Sequence, residues 1–172
     1  MLKCSALLLA LCVMAFAQSR EASGTIGYNY QYSDQGHGER SNLNGFFASG
    51  QLDFSDHLSI VGEVDSYYGK VGGVTATQQN FVLGPQYTFR TEKANLRPFV
   101  YLQSGDQRSG SAGNVEHAFD LQLGGGVQIN LTDALSLQVT PTEYNLSVPQ
   151  VGPTHSFSTK LGVSWTFWKQ AP

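Results

Sequence analysis

Residues 160–172 read KLGVSWTFWKQAP, and the stretch leading into them sets Phe157, Leu161, Val163, Trp165 and Phe167 against Ser158, Lys160, Gly162, Ser164 and Thr166. A strand points successive side chains to opposite faces, so this period of two describes a strand with one side against an apolar medium. The same pattern recurs upstream, where Phe119, Leu121, Leu123, Val127 and Ile129 alternate with Asp120, Gln122, Gly124, Gly126 and Gln128. After Gln18 no segment carries a sustained helical period or a long apolar run.

Eight such runs are expected, near residues 23–32, 43–54, 58–68, 78–89, 96–104, 117–130, 134–145 and 156–167. Their lengths approach the ~9–11 residues with which a tilted strand crosses a bilayer. Three connections are short: Ser55 to His57, Arg90 to Asn95 and Leu131 to Asp133. The other four, Ser33 to Asn42, Gly69 to Thr77, Gly105 to Glu116 and Leu146 to His155, read as longer, polar, glycine-rich loops. Alternating short and long connections predict an all-β fold, an eight-stranded antiparallel up-and-down transmembrane barrel with short turns on one side and loops on the other.

The N-terminal end supplies an address. Lys3 precedes an apolar run from Ser5 to Phe16, and Ala15-Phe16-Ala17 is a small-x-small site, so residues 1–17 read as a secretory signal peptide and 18–172 as the barrel domain. That run is too short to cross a membrane as a helix. Cys4 and Cys12 are the only cysteines of the 172 residues, and both fall in this segment, so disulfides are not expected to stabilise the exported domain. The formal net charge is −3 and the basic residues are scattered, which excludes a nucleic-acid footprint.

Aromatic residues gather near strand ends: Phe54, Tyr87, Phe89, Trp165 and Phe167 on the turn side, and Tyr28, Tyr30, Tyr67, Tyr68 and Tyr144 toward the loops. Two girdles bracketing an apolar band match a bilayer with its two interfaces. In a soluble, lipocalin-like carrier the polar faces would meet water and be rich in Lys and Glu. Here they carry Gly, Ser, Thr, Asn and Gln, which suit a narrow interior. Pro85, Pro98 and Pro141 cannot donate ladder bonds and are expected at rims or bulges.

The segment from Lys160 to Phe167 resembles the C-terminal β-signal of outer-membrane proteins, with a polar residue, a glycine and two aromatics at Lys160, Gly162, Trp165 and Phe167. The resemblance implies that these positions are read by the barrel-assembly machinery; the chain departs from the pattern in continuing from Trp168 to Pro172. The whole exported region is similar to small eight-stranded outer-membrane barrels of the OmpA-like and OmpX-like kind. LGPQYTF (83–89), LRPFVYLQSG (96–105) and LQLGGGVQIN (121–130) look like stretches of barrel-only members. Outer-membrane lipid and lipopolysaccharide, the assembly machinery and an extracellular ligand of the loops are the partners so implied, for a monomer resident in the outer membrane.

Extending the alternation places Glu63, Asp65, Arg97, Asp120 and Lys160 on inward faces, where charges of both signs are expected to pair. Glu63 and Asp65 share a face as an acid pair could, but with Arg97 and Lys160 at hand a salt-bridge network is the simpler reading. Glu143 is left open, because Pro141 can shift the register. Gly124-Gly125-Gly126 lacks the helix and Lys-Ser/Thr of a phosphate loop. A lipid A-modifying enzyme needs His and Ser on one face, whereas His155 and Ser156 are adjacent and His117 has Phe119 at its next same-face position. His37, His117 and His155 lack metal-ligand spacing. The expectation is a barrel without enzymatic activity, cofactor or metal, with structural, adhesive or binding roles in its loops; the alternatives are a narrow pore for small solutes, a lipid A-modifying membrane enzyme and a soluble lipocalin-like carrier.

Overall fold

The computed structural model describes residues 20–34, 40–71, 74–89, 91, 95–111, 114–149 and 152–169. Eight strands follow one another: β1 (Glu21–Asp34), β2 (Arg40–Asp53), β3 (Leu58–Val71), β4 (Val74–Thr88), β5 (Leu96–Ser111), β6 (Asn114–Asn130), β7 (Leu135–Val148) and β8 (Thr154–Lys169). Each pairs antiparallel with the next, and β8 returns to β1, closing the sheet. Closure leaves no strand without a partner on either side, the condition for a sheet to sit in hydrocarbon.

The closed sheet is polar within and apolar without. Ile26, Phe46, Val64, Phe81, Leu83, Leu102, Leu123, Leu161 and Val163 all face outward and are exposed, Phe46 by 67 % and Ile26 by 60 %. The largest fully buried side chains are Tyr67, Lys160, Gln103, Gln122, Glu143 and Asn29. Water would penalise this arrangement at every outward position, by about 1.5–3 kcal/mol for each large apolar side chain left unburied. A lipid exterior reverses that sign.

Two of the four expected loops prove to be strand. Residues 69–71 and 74–77 continue the β3–β4 ladder, and 105–111 and 114–116 the β5–β6 ladder, until Val71 meets Val74 and Ser111 meets Asn114. Most of both segments on the loop end is therefore paired strand. The physical reason is that apolar alternation records contact with lipid. Beyond the bilayer both faces meet water and the pattern fades, while backbone pairing continues.

Two of the three prolines, Pro85 and Pro141, stand where a ladder is interrupted. Along β7 the register shifts against both neighbours around Pro141, so that Thr140 pairs with Lys160 but Glu143 with Ser158. Pro141 and Thr142 both lie exposed and Glu143 is returned to the interior. Between β4 and β5 the pairing passes from Leu83 with Ser104 to Gln86 with Tyr101, leaving Gly84 and Pro85 out of the pairs. Pro98 stays paired with Val127, and its carbonyl accepts the Phe89 amide at the adjoining turn.

Glycines make room for rings inside the barrel. Gly27 and Gly162 are cross-strand partners on β1 and β8, and a Cβ on either would stand within 3 Å of the Phe47 ring. The Tyr101 ring covers Gly124 and the Phe99 ring covers Gly126, the two rings stacking at 6.0 Å. Gly124-Gly125-Gly126 is thus a flat bed for two aromatic side chains.

Candidate functional site

The chemistry of the interior centres on Lys160. Its ammonium, 1 % exposed, lies 2.8 Å from Glu143 Oε2 and 3.2 Å from Asp65 Oδ1, and also bonds Glu63 Oε1. Lys160 stands on β8, Glu143 on the adjoining β7, and Glu63 and Asp65 on β3, which is separated from β8 by β1 and β2. The lysine therefore spans the lumen, and eight strands enclose little more than side chains can fill.

Neutral groups complete the coordination. Tyr101 OH donates to Glu143 Oε2, and Asn29 Nδ2 donates to Asp65 Oδ1 at 2.8 Å. The Phe47 ring lies 5.7 Å from the Lys160 ammonium, close enough for a cation–π attraction. Three carboxylates share one ammonium in a buried site, so removing that ammonium would leave like charges facing each other in a poorly screened medium.

The residues expected inside do not all meet. Arg97 is not part of the Lys160 cluster: it lies near the turn end, 3.8 Å from Asp53, which also accepts from Gln51 at 2.7 Å. Arg97 sits at the second position of β5, too near the rim to reach the middle of the lumen. Asp120 is fully buried on β6 and accepts from Gln122 Nε2 at 2.8 Å. Glu143, which the sequence left open, is a full member because the Pro141 bulge turns it inward.

Of the expected interface aromatics, Tyr67 is corrected. It is completely buried, with its hydroxyl 3.3 Å from Ser158 Oγ. Neighbours in a strand face opposite ways, so Tyr67 and Tyr68 cannot both be outside, and Asp65 and Glu63 already fix Tyr67 on the inner face. Tyr28, Tyr30, Tyr68, Tyr87, Phe89 and Trp165 are exposed on the outside. Tyr144 is half-buried beside His155, which its hydroxyl meets at 2.5 Å. Tyr87 stacks on His57 and meets Phe89 edge-on.

Along β8, Lys160 and Gly162 point inward, whereas Trp165 and Phe167 point outward and are exposed at the turn end. Nearby, Glu21 accepts from Thr166 at 3.0 Å and faces Lys169 at 3.8 Å, tying the first strand to the last. The cleavage residues Ala15 and Ala17 lie outside the described residues, as does His37.

At the loop end His117 Nδ1 meets Asp106 Oδ2 at 2.9 Å, both exposed. His155 is exposed and Ser156 buried, so they occupy opposite faces. Among the described residues no three His, Cys, Asp or Glu side chains are grouped to hold a metal ion.

A closed antiparallel sheet with a polar, charged interior and an apolar outer wall defines a transmembrane β-barrel. The chain belongs to the outer membrane protein beta-barrel domain family, whose model matches residues 4–167. No curated protein matches it significantly. Among solved structures it is similar to Neisserial surface protein A (TM-score 0.75, 14 % identity, 85 % of this chain and 97 % of that one). It is also similar to Ail, the attachment invasion locus protein of Yersinia pestis (TM-score 0.61, 17 % identity, 87 % and 99 %). A third similar structure is the N-terminal barrel domain of Pseudomonas aeruginosa OprF (TM-score 0.59, 16 % identity, 87 % and 100 %). At these identities the likeness concerns the fold. Membership of the family places the protein in the bacterial outer membrane.

Proposed function

We propose that this protein is a non-conducting outer-membrane barrel whose role is carried by its loop-end hairpins, as a surface anchor for adhesion or binding. The observation that supports this reading is the Lys160 cluster, which fills the lumen midway and leaves the projecting β3–β4 and β5–β6 hairpins as the surfaces available to a partner. At 16 and 17 residues, β5 and β6 exceed what a bilayer requires. One structure of Ail is a complex with the heparin analogue sucrose octasulfate; by analogy of fold alone, a sulfated polysaccharide is a reasonable first probe here.

On this reading the outer wall contacts lipid and lipopolysaccharide, with Lys70 and Arg108, both outward and exposed, available to headgroup phosphates. Lys160, Gly162, Trp165 and Phe167 serve the assembly machinery, and the protein works as a monomer without cofactor or catalysis. The test replaces residues 110–115 by a two-residue Gly-containing turn and measures adhesion of expressing cells to immobilised heparin and to epithelial monolayers. Loss of adhesion, with the barrel still heat-modifiable in gels, supports the proposal. Undiminished adhesion, or no adhesion by the unaltered protein, overturns it.

A further inference from the structure

On the loop side of Lys160, the inner wall formed by β5, β6 and β7 is a surface of unmet oxygen atoms. Gln103, Gln122 and Asn145 form one cross-strand row, and Asp120 pairs with Ser147 in the next. All five are more than nine-tenths buried. Gln103 Oε1, Gln122 Oε1, Asn145 Oδ1, Asp120 Oδ1 and Ser147 Oγ are all without a hydrogen-bond partner among the described residues. Directly opposed strand residues have Cβ atoms ~4.5–5.5 Å apart, so these five inward residues are neighbours on one patch of the inner wall.

Two of the amides have their orientation fixed by chemistry. Gln122 Nε2 donates to the Asp120 carboxylate, and Gln103 Nε2 donates to the Val61 carbonyl at 3.5 Å. Both acceptors lack a proton to give, so the nitrogen of each amide must face them and the oxygen must face the lumen. Among the described residues every unpartnered buried side-chain atom except Asn80 Nδ2 is an oxygen. The imbalance extends to charge, because Asp53 faces Arg97 and Lys160 already serves Glu63, Asp65 and Glu143, whereas Asp120 is a further buried carboxylate that accepts from Gln122.

We propose that this wall binds a hard cation, held by Asp120 Oδ1 and Ser147 Oγ together with the carbonyl oxygens of Gln103, Gln122 and Asn145. Carboxylate, amide carbonyl and hydroxyl oxygens are the ligands that such ions take, with water completing the shell. The cation supplies what the described side chains do not place there, a positive charge in contact with Asp120 and a common partner for neighbouring acceptors. Amide oxygens make up most of the donor set, which is why no carboxylate or histidine cluster marks it.

The test uses the barrel refolded in detergent micelles, with urea unfolding midpoints measured in sodium, potassium or calcium chloride against choline chloride at constant ionic strength. The midpoint should rise with the logarithm of the concentration of at least one of the three inorganic cations, as mass action on the folded state requires. Asp120→Asn should abolish the rise. Should that variant not fold, Ser147→Ala is read in its place, and several-fold more salt should be needed for the same shift. Equal midpoints in all four salts would overturn the proposal, as would a rise unchanged in the variant; in either case water alone serves these oxygens.

Discussion

Lys160 Nζ lies 2.8 Å from Glu143 Oε2 across the β7–β8 seam, beside the bulge at Pro141. The bulge takes up one extra residue, Thr142, and so keeps Glu143 on the inner face. In a chain of this length without a bulge, regular alternation from Thr140 would place Thr142 inside and send Glu143 out to lipid.

Lys160→Met removes the ammonium and leaves Glu63, Asp65 and Glu143 facing one another. The expected cost is about 3–5 kcal/mol, the range for breaking a buried pair from one side. Urea unfolding of the refolded barrel measures it, and adding Glu143→Gln to the variant should restore part of the loss. A change under about 1 kcal/mol would mean that the cluster is not the energetic centre of the interior.

A second prediction concerns the bulge itself. Deleting Thr142 returns β7 to regular alternation with Thr140 and Glu143 still inside, so the shortened chain should still assemble and show the heat shift in gels. The expected loss is about 1 kcal/mol, the scale of one perturbed ladder bond. Deleting Ser158 from β8 instead inverts every side chain on one side of the cut, and that chain should not assemble. Equal tolerance of the two deletions would contradict the assigned register.

Inside and outside are distinguished by charge. Leu161→Arg, beside Lys160 but outward, should destabilise the folded barrel by about 2–4 kcal/mol in a bilayer, the cost near the midplane. Thr75→Arg, outward at the loop end, should change stability by under about 1 kcal/mol. If refolding into lipid vesicles gives the two variants the same stability, the lipid-facing wall is misplaced.

The ring beds give a steric prediction. Gly124→Ala would place a Cβ 2.5 Å from the Tyr101 ring, and Gly162→Ala one 2.8 Å from Phe47. Overpacking of this kind costs about 1–3 kcal/mol. Pairing Gly124→Ala with Tyr101→Leu should recover part of the loss in the same unfolding assay; no recovery would place the strain elsewhere.

The sequence makes the barrel legible because lipid writes a period of two on the outer face of each strand, clearest from Phe157 to Phe167. It cannot show strand ends beyond the bilayer, since residues such as Arg108 and Glu116 alternate nothing once both faces are wet. Of the interior, Glu63, Asp65, Asp120 and Lys160 follow from parity alone. Tyr67 follows from the same parity, two residues beyond Asp65 on the inner face, although its place near a strand end is shared with the outer aromatics. Glu143 needs the bulge, which a proline announces without saying how the register shifts. The separation of Arg97 from the cluster depends on depth along the barrel, a coordinate that face periodicity does not carry.

The most direct measurement is single-channel recording of the purified, refolded protein in a planar bilayer. A lumen filled by Lys160, Glu63, Asp65 and Glu143 should give a silent membrane, under conditions in which the protein is shown to be inserted by its heat-shifted mobility. Stable, stepwise conductance from the unaltered protein, lost or resized in Lys160→Met, would contradict a filled interior and make the barrel a pore.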